Sequence, residues 1–143
     1  MATLRRLTFE DYDAVIALWQ RSGLQSIRPE GRDSLSEFRQ QLERGQVVIG
    51  LEEDGMLIGV IVATDDTRKG WINRLAIDPD RRCQGYGTQL IRAAEDALRA
   101  SGTQVIAALI EEHNAASLAL FEKEGYAVQR DILYVSKRDS RDA

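Results

Sequence analysis

The chain carries one cysteine among its 143 residues, Cys83, so no internal disulfide can staple it. It has two prolines, no internal repeat and no low-complexity tract, and nothing in it reads as a linker between domains. A single 143-residue domain is therefore expected, fraying only over 138–143. No apolar run approaches the roughly 20 residues that a bilayer crossing needs. The N-terminus also lacks the positive-then-apolar pattern of a signal peptide, which leaves the cytoplasm as the expected compartment and no membrane partner. Basic residues are not in excess. Lys and Arg number 19 against 23 Asp and Glu, a net charge of −4 that argues against a nucleic-acid-binding face. With one histidine and one cysteine, no metal is expected. Two phosphate-binding signatures are missing as well: there is no Gly-x-x-x-x-Gly-Lys-Ser/Thr, and no third glycine where a dinucleotide fingerprint needs one.

What is present centres on Arg81-Arg82-Cys83-Gln84-Gly85-Tyr86-Gly87-Thr88. An apolar, strand-like run, Leu75-Ala76-Ile77-Asp78-Pro79, leads into it, and a helical pattern begins near Gly87. A helix start leaves backbone N–H groups unpaired and carries partial positive charge. Glycines there remove the Cβ atoms that would hold an anion away, and the two arginines add permanent charge. The stretch suits a phosphate or pyrophosphate.

Periodicity supplies the frame. Residues 3–7 form a strand, and Thr8-x-x-Asp11 is a capping box opening a helix with Tyr12, Val15, Ile16 and Trp19 inward. Residues 23–33 lack periodicity and form a loop, after which Ser34-x-x-Glu37 opens a helix with Leu35, Phe38 and Leu42 inward. Val47–Leu51, Met56–Ala63 and residues 70–77 make three strands in an antiparallel meander, the first pair joined at Glu53-Asp54-Gly55. A helix to Ser101 follows, with Leu90, Ile91, Ala94 and Leu98 on one face. Val105–Ile110 is six apolar residues in succession, which predicts a central strand buried on both faces and reached by a parallel crossover. Asn114 caps a last helix, with Leu118 and Phe121 inward, and residues 126–129 and 131–137 close the chain as a hairpin. The expected fold class is α/β: a mixed sheet with helices on both faces, in the order β-α-α-β-β-β-α-β-α-β-β.

Arg82-x-x-Gly85-x-Gly87 resembles the acyl-CoA pyrophosphate loop of the GCN5-related N-acetyltransferases, Arg/Gln-x-x-Gly-x-Gly/Ala. Residues 114–126, Asn-Ala-Ala-Ser-Leu-Ala-Leu-Phe-Glu-Lys-Glu-Gly-Tyr, resemble that family's last-helix signature at Asn114, Ser117, Leu120, Gly125 and Tyr126. The element order matches the family fold over nearly the full length. The resemblance implies an acyl-CoA-dependent N-acyltransferase that moves an acetyl group from acetyl-CoA to a primary amine by direct attack. Acetyl-CoA is then a cosubstrate, and the protein acts as a monomer or a homodimer. By the same resemblance Arg82, Cys83, Gln84, Gly85, Tyr86, Gly87 and Thr88 hold the pyrophosphate. The pantetheine arm lies along Leu75, Ala76 and Ile77, with Asn114 and Phe121 at its end.

Two departures bear on catalysis. The family's proton-donating tyrosine is replaced by Phe121, and the glutamate many relatives carry before the loop falls near Asn73. Losing the acid is survivable: with a thiol pKa of about 8.5, a thiolate at pH 7 lies only about 2 kcal/mol uphill. Tyr126 and Tyr134 are conceivable donors, though each suits a packed sheet position better. For the base, Glu111 and Glu112 rank first and His113 next, with Asn73 able to orient a water. Adjacent strand residues face opposite ways, so at most one of the two glutamates reaches a cleft. The alternative is a non-catalytic acyl-CoA-binding or regulatory module; an unrelated nucleotide binder would instead prefer ATP or NAD. The amine acceptor is not encoded in any motif.

Overall fold

The computed structural model describes residues 1–141 and Ala143; Asp142, part of the expected fray over 138–143, lies outside the described residues. Strand β1 (Thr3–Arg6) leads through a short 3₁₀ turn to helix α1 (Tyr12–Arg21), and α2 (Leu35–Glu43) follows. Strands β2 (Val47–Glu53), β3 (Met56–Asp65) and β4 (Gly70–Ile77) precede α3 (Tyr86–Ala100). Strand β5 (Ile106–Ala108) and α4 (Ala115–Lys123) complete the regular structure. The sheet runs β1-β2-β3-β4-β5, antiparallel except for the parallel β4–β5 pair.

Local chemistry accounts for the boundaries. The amide of Thr8 donates to the Asp11 carboxylate at 2.8 Å, so the first capping box forms. At the second, only half of the box is made: the Glu37 amide donates to Ser34 Oγ at 3.2 Å, while the Ser34 amide donates to the Gly31 carbonyl. The β2–β3 turn has positive φ at both Asp54 and Gly55, the conformation in which a two-residue hairpin matches strand twist.

Alternation along the strands sorts the apolar side chains to two sides. Ile49, Leu51, Ile61 and Ala63 pack under Leu90, Ile91, Ala94 and Leu98 of α3 and Phe121 of α4. Val48, Val60 and Val62 pack against Val15, Leu18 and Trp19 of α1 and Phe38 of α2. Leu35, expected inward, is exposed, because α2 buries only its Phe38 side.

Two expectations need correction. The run Val105–Ile110 is not a central strand buried on both faces. Only Ile106–Ala108 pairs, and it forms the sheet's edge, half-buried. Residues 126–129 and 131–137 form no hairpin ladder; past a turn at 130–131 the chain is irregular and exposed. Both corrections share a cause: the strand that would cover β5 is the one that does not pair.

Candidate active site

The most informative feature is where β4 and β5 part. Val62 pairs with Arg74 and Ala63 with Ile72, which leaves Asn73 as an extra residue on β4. Such a bulge bends its strand. On the other side, β5 pairs only with Gly70, Trp71 and Ile72, so from Asn73 to Ile77 that edge of β4 is open. A cleft of about 190 Å³ lies there, lined by residues 72–75 of β4, 109–111 beyond β5, and Asn114, Ser117 and Phe121 of the last helix.

The open edge leads to the arginine–glycine loop. Gly85 caps α3 with φ +82, a left-handed conformation that costs any side chain roughly 1–2 kcal/mol, and a Cβ there would point into open space. Among the described residues, no hydrogen bond is donated by the backbone N–H groups of 82–88 to another backbone group. Gly87 answers a different need. A Cβ at that position would stand 2.7 Å from Leu120 Cδ2, so this glycine lets α3 and α4 approach, whereas the motif by itself suggests anion access. Of the two arginines, Arg81 is tied to Glu53 at 3.0 Å, and Glu53 also accepts from the Tyr86 hydroxyl at 3.3 Å. Arg82 is exposed and donates to the Ser22 carbonyl at 3.2 Å. Gln84 and Cys83 are exposed, Cys83 with φ 64, and Thr88 donates to Glu124 at 3.2 Å.

The proposed acid–base residues separate. Glu111 lines the cleft and stands 3.4 Å from His113 Nε2, which lines it too. Glu112 does not belong to the lining; both glutamates lie past the end of β5, where strand alternation no longer applies. Asn73 lines the cleft and donates to Thr64 Oγ1 at 2.8 Å. Phe121 is a buried wall, its ring edge-on to Tyr126 at 5.0 Å. The Tyr126 hydroxyl donates to Glu95 at 2.7 Å, away from the cleft. Burial first, and then that carboxylate, raise its pKa above the ordinary phenol value, so it is a weaker acid, and its hydroxyl is engaged outside the lining. Tyr134 is exposed on the C-terminal segment and takes no part in the lining. Asn114 caps α4, its side chain accepting from the Ser117 amide at 3.2 Å.

Sequence reasoning misses the cleft's other wall, residues 23–26. The loop that holds them is pinned by the buried carboxylate of Asp33. It accepts from Arg74 at 2.5 and 3.0 Å and from the Arg28 amide at 2.7 Å. Arg74 also lies over the Trp19 ring at 4.5 Å. A charged residue in the middle of an otherwise apolar strand is the available signal; its partner, 41 positions away, is not.

A bulged, parting strand pair thus precedes a glycine-capped helix start. The acetyltransferase (GNAT) family matches residues 5–126, and the chain belongs to that family. An acetyltransferase of Sodalis glossinidius is 28% identical over 135 residues, spanning 94% of each chain. Among solved structures, the PaiA N-acetyltransferase of Thermoplasma acidophilum in complex with coenzyme A superposes with a TM-score of 0.80 at 20% identity, covering 90% of this chain and 91% of that one. The aminoglycoside N-acetyltransferase AAC(6')-Iy in complex with CoA gives 0.82 at 17% identity, with 96% and 95% covered. No helix among the described residues is long and apolar enough to cross a membrane.

Proposed function

We propose that this chain acetylates a primary amine bound in the cleft between residues 23–26 and 109–111, with Glu111 as the base. The observation that carries the reading is the open edge of β4 from Asn73 to Ile77, which begins in the cleft lining and ends at the strand terminus that precedes the loop at 82–88. The residues fit acetyl-CoA along that line. The pyrophosphate rests on the free N–H groups of 83–88 and beside Arg82. The backbone of Leu75, Ala76 and Ile77 receives the pantetheine as an added strand. A backbone N–H on the same edge polarises the acyl carbonyl, an oxyanion-type contribution. Acetyl-CoA supplies the activated thioester.

The chain's own residues then need only hold an amine and take its proton. Glu111 and His113 form an exposed pair on the wall, placed to pass a proton to solvent. Asn73 and Thr64 hold each other, so Asn73 can orient a water but not accept a proton from the amine. Arg74 is neutralised by Asp33 and does not repel a cationic acceptor. AAC(6')-Iy is an aminoglycoside N-acetyltransferase by name, and an Escherichia coli neighbour acts on the alanine of a ribosomal protein. Both acceptor types belong in the test.

That test is thiol release from acetyl-CoA across an amine panel that includes aminoglycosides and peptide N-termini. Release is expected with at least one amine, and Glu111→Gln should lower kcat while leaving acetyl-CoA affinity intact. Tight acetyl-CoA binding with no release from any amine would favour the binding-module alternative.

A further inference from the structure

The cleft wall at residues 23–26 belongs to the loop 22–34 between α1 and α2, and apolar packing does little to hold that loop. Leu24 and Ile27 are only half-buried against the α1 side of the core, and Asp33 is the loop's one fully buried residue. A buried carboxylate is stable only when its charge and its lone pairs are met. Arg74 meets the charge with both Nη atoms, and the Arg28 amide donates to the same carboxylate from within the loop. The Arg74 guanidinium in turn lies over the Trp19 ring, which fixes its plane.

From this point the hydrogen bonds run to the wall itself. Arg74 reaches the Ser26 carbonyl at 3.4 Å, and Arg32 donates to the same oxygen at 2.8 Å. Arg28 donates through Nη1 to the carbonyls of Gln25 and Ile27, both at 3.0 Å. The Asp33 amide donates to the Arg28 carbonyl at 2.9 Å, and the Tyr12 hydroxyl fixes the Asp33 carbonyl from α1. Arg74 is also the one arginine in the cleft lining, a single position past the Asn73 bulge. One buried acid therefore ties the wall to β4 and masks that arginine's charge.

We propose that Asp33 is a positioning residue for the amine acceptor, working through Arg74 and Arg28 without touching the acceptor, a role that rests on the acyl-transfer reading above. The wall it holds bounds the acceptor side of the cleft, so loosening it weakens amine binding and leaves the acetyl-CoA line along 75–88 alone. Its charge matters as well. A primary amine is a cation at neutral pH, and Arg74 without its carboxylate would put a like charge beside it. Loss of Asp33 therefore acts on acceptor binding twice, through geometry and through charge, and on neither cofactor binding nor the chemical step.

Asp33→Asn keeps the side chain's shape and removes its charge. With the amine of the panel that releases thiol fastest, its acceptor KM should rise roughly tenfold or more while kcat at saturating amine stays within about threefold of the parent. Acetyl-CoA affinity by calorimetry should be unchanged. Amide hydrogen exchange over residues 23–28, read with no acceptor present, should speed up in the variant while exchange across α3 does not. A folded Asp33→Asn with the parent's acceptor KM, or with the parent's exchange at 23–28, would overturn the proposal. If Asp33→Asn does not fold, Arg74→Lys carries the test, since it keeps the charge and loses the planar fork. Its acceptor KM should rise about threefold with kcat retained, and a parental KM would overturn the proposal. A parent that binds acetyl-CoA and releases no thiol with any amine would instead defeat the acyl-transfer reading itself, and the role of Asp33 with it.

Discussion

Two stretches of this chain are rich in the same strand-forming residues and meet opposite fates. Between Val47 and Ile77 they make three long strands in a continuous antiparallel ladder, most of whose side chains are buried. Between Val105 and Val135 they make one three-residue strand and an exposed arm. Composition does not separate them. The difference is the partner: β3 has neighbours on both edges and helices over both faces, whereas β5 has β4 on one edge for three residues.

The largest expected effect tests that contrast in the core. Ile61 is fully buried between the sheet and α3, and Ile61→Ala should cost about 2–5 kcal/mol in urea unfolding. Leu118 of α4 is only half-buried, and its alanine variant should cost about 1 kcal/mol. Equal losses at the two positions would break the comparison.

Next comes the loop that links the regions. Gly85→Glu places a side chain and a negative charge in the open space over the helix start, in a left-handed conformation. Acetyl-CoA affinity should fall at least tenfold, about 1.4 kcal/mol by calorimetry. Unchanged affinity in a folded variant would remove the loop from the binding site.

Phe121 belongs to the core of the first region and to the cleft of the second. Phe121→Tyr restores a phenol where the family has one. A general acid is typically worth about 10²–10⁴-fold where proton transfer limits the rate. A smaller gain in kcat is expected here, because a hydroxyl at this buried wall needs a partner of its own. A slower variant of normal stability would show that the site works through another donor or none.

The smallest effect is a pH dependence at the β3–β4 turn. Hydrogen bonds from the Trp71 indole N–H first, then from the Lys69 and Arg68 amides, hold the Asp66 carboxyl down to about 2 from 3.8. A folded-state pKa below the unfolded one contributes stability above the unfolded value and loses it as pH falls through the folded value. Asp66→Asn should therefore be slightly less stable than the parent near pH 6, and the gap should close between about pH 4 and 2. A gap as large at pH 2 as at pH 6 would assign the effect to packing.

The paired region is legible in the sequence because its signals are local. The Glu53-Asp54-Gly55 turn, the β-branched runs on either side and the α3 stripe each specify themselves. The loop is legible for the same reason, since its residues adjoin the helix they cap. Val105–Ile110 misleads because an unbroken apolar run looks alike in a buried strand and at a bare edge. The Asn73 bulge is invisible because register belongs to a pair of strands, and the β3 partner sets it. Asp33 and Arg74 escape for a similar reason, being 41 positions apart.

The close approach of Gly87 to Leu120 has a consequence for how this sequence can drift. The obstructing atom is the end of a flexible side chain, so an alanine at 87 becomes tolerable once residue 120 shrinks. The order of substitution then matters: alanine at 120 first leaves a small void that a later alanine at 87 fills, while the reverse order requires the Leu120 side chain to shift. Homologous sequences should show the two positions changing together, larger at one where smaller at the other. Gly85, whose added Cβ would meet no neighbour and whose φ is +82, should change independently of both.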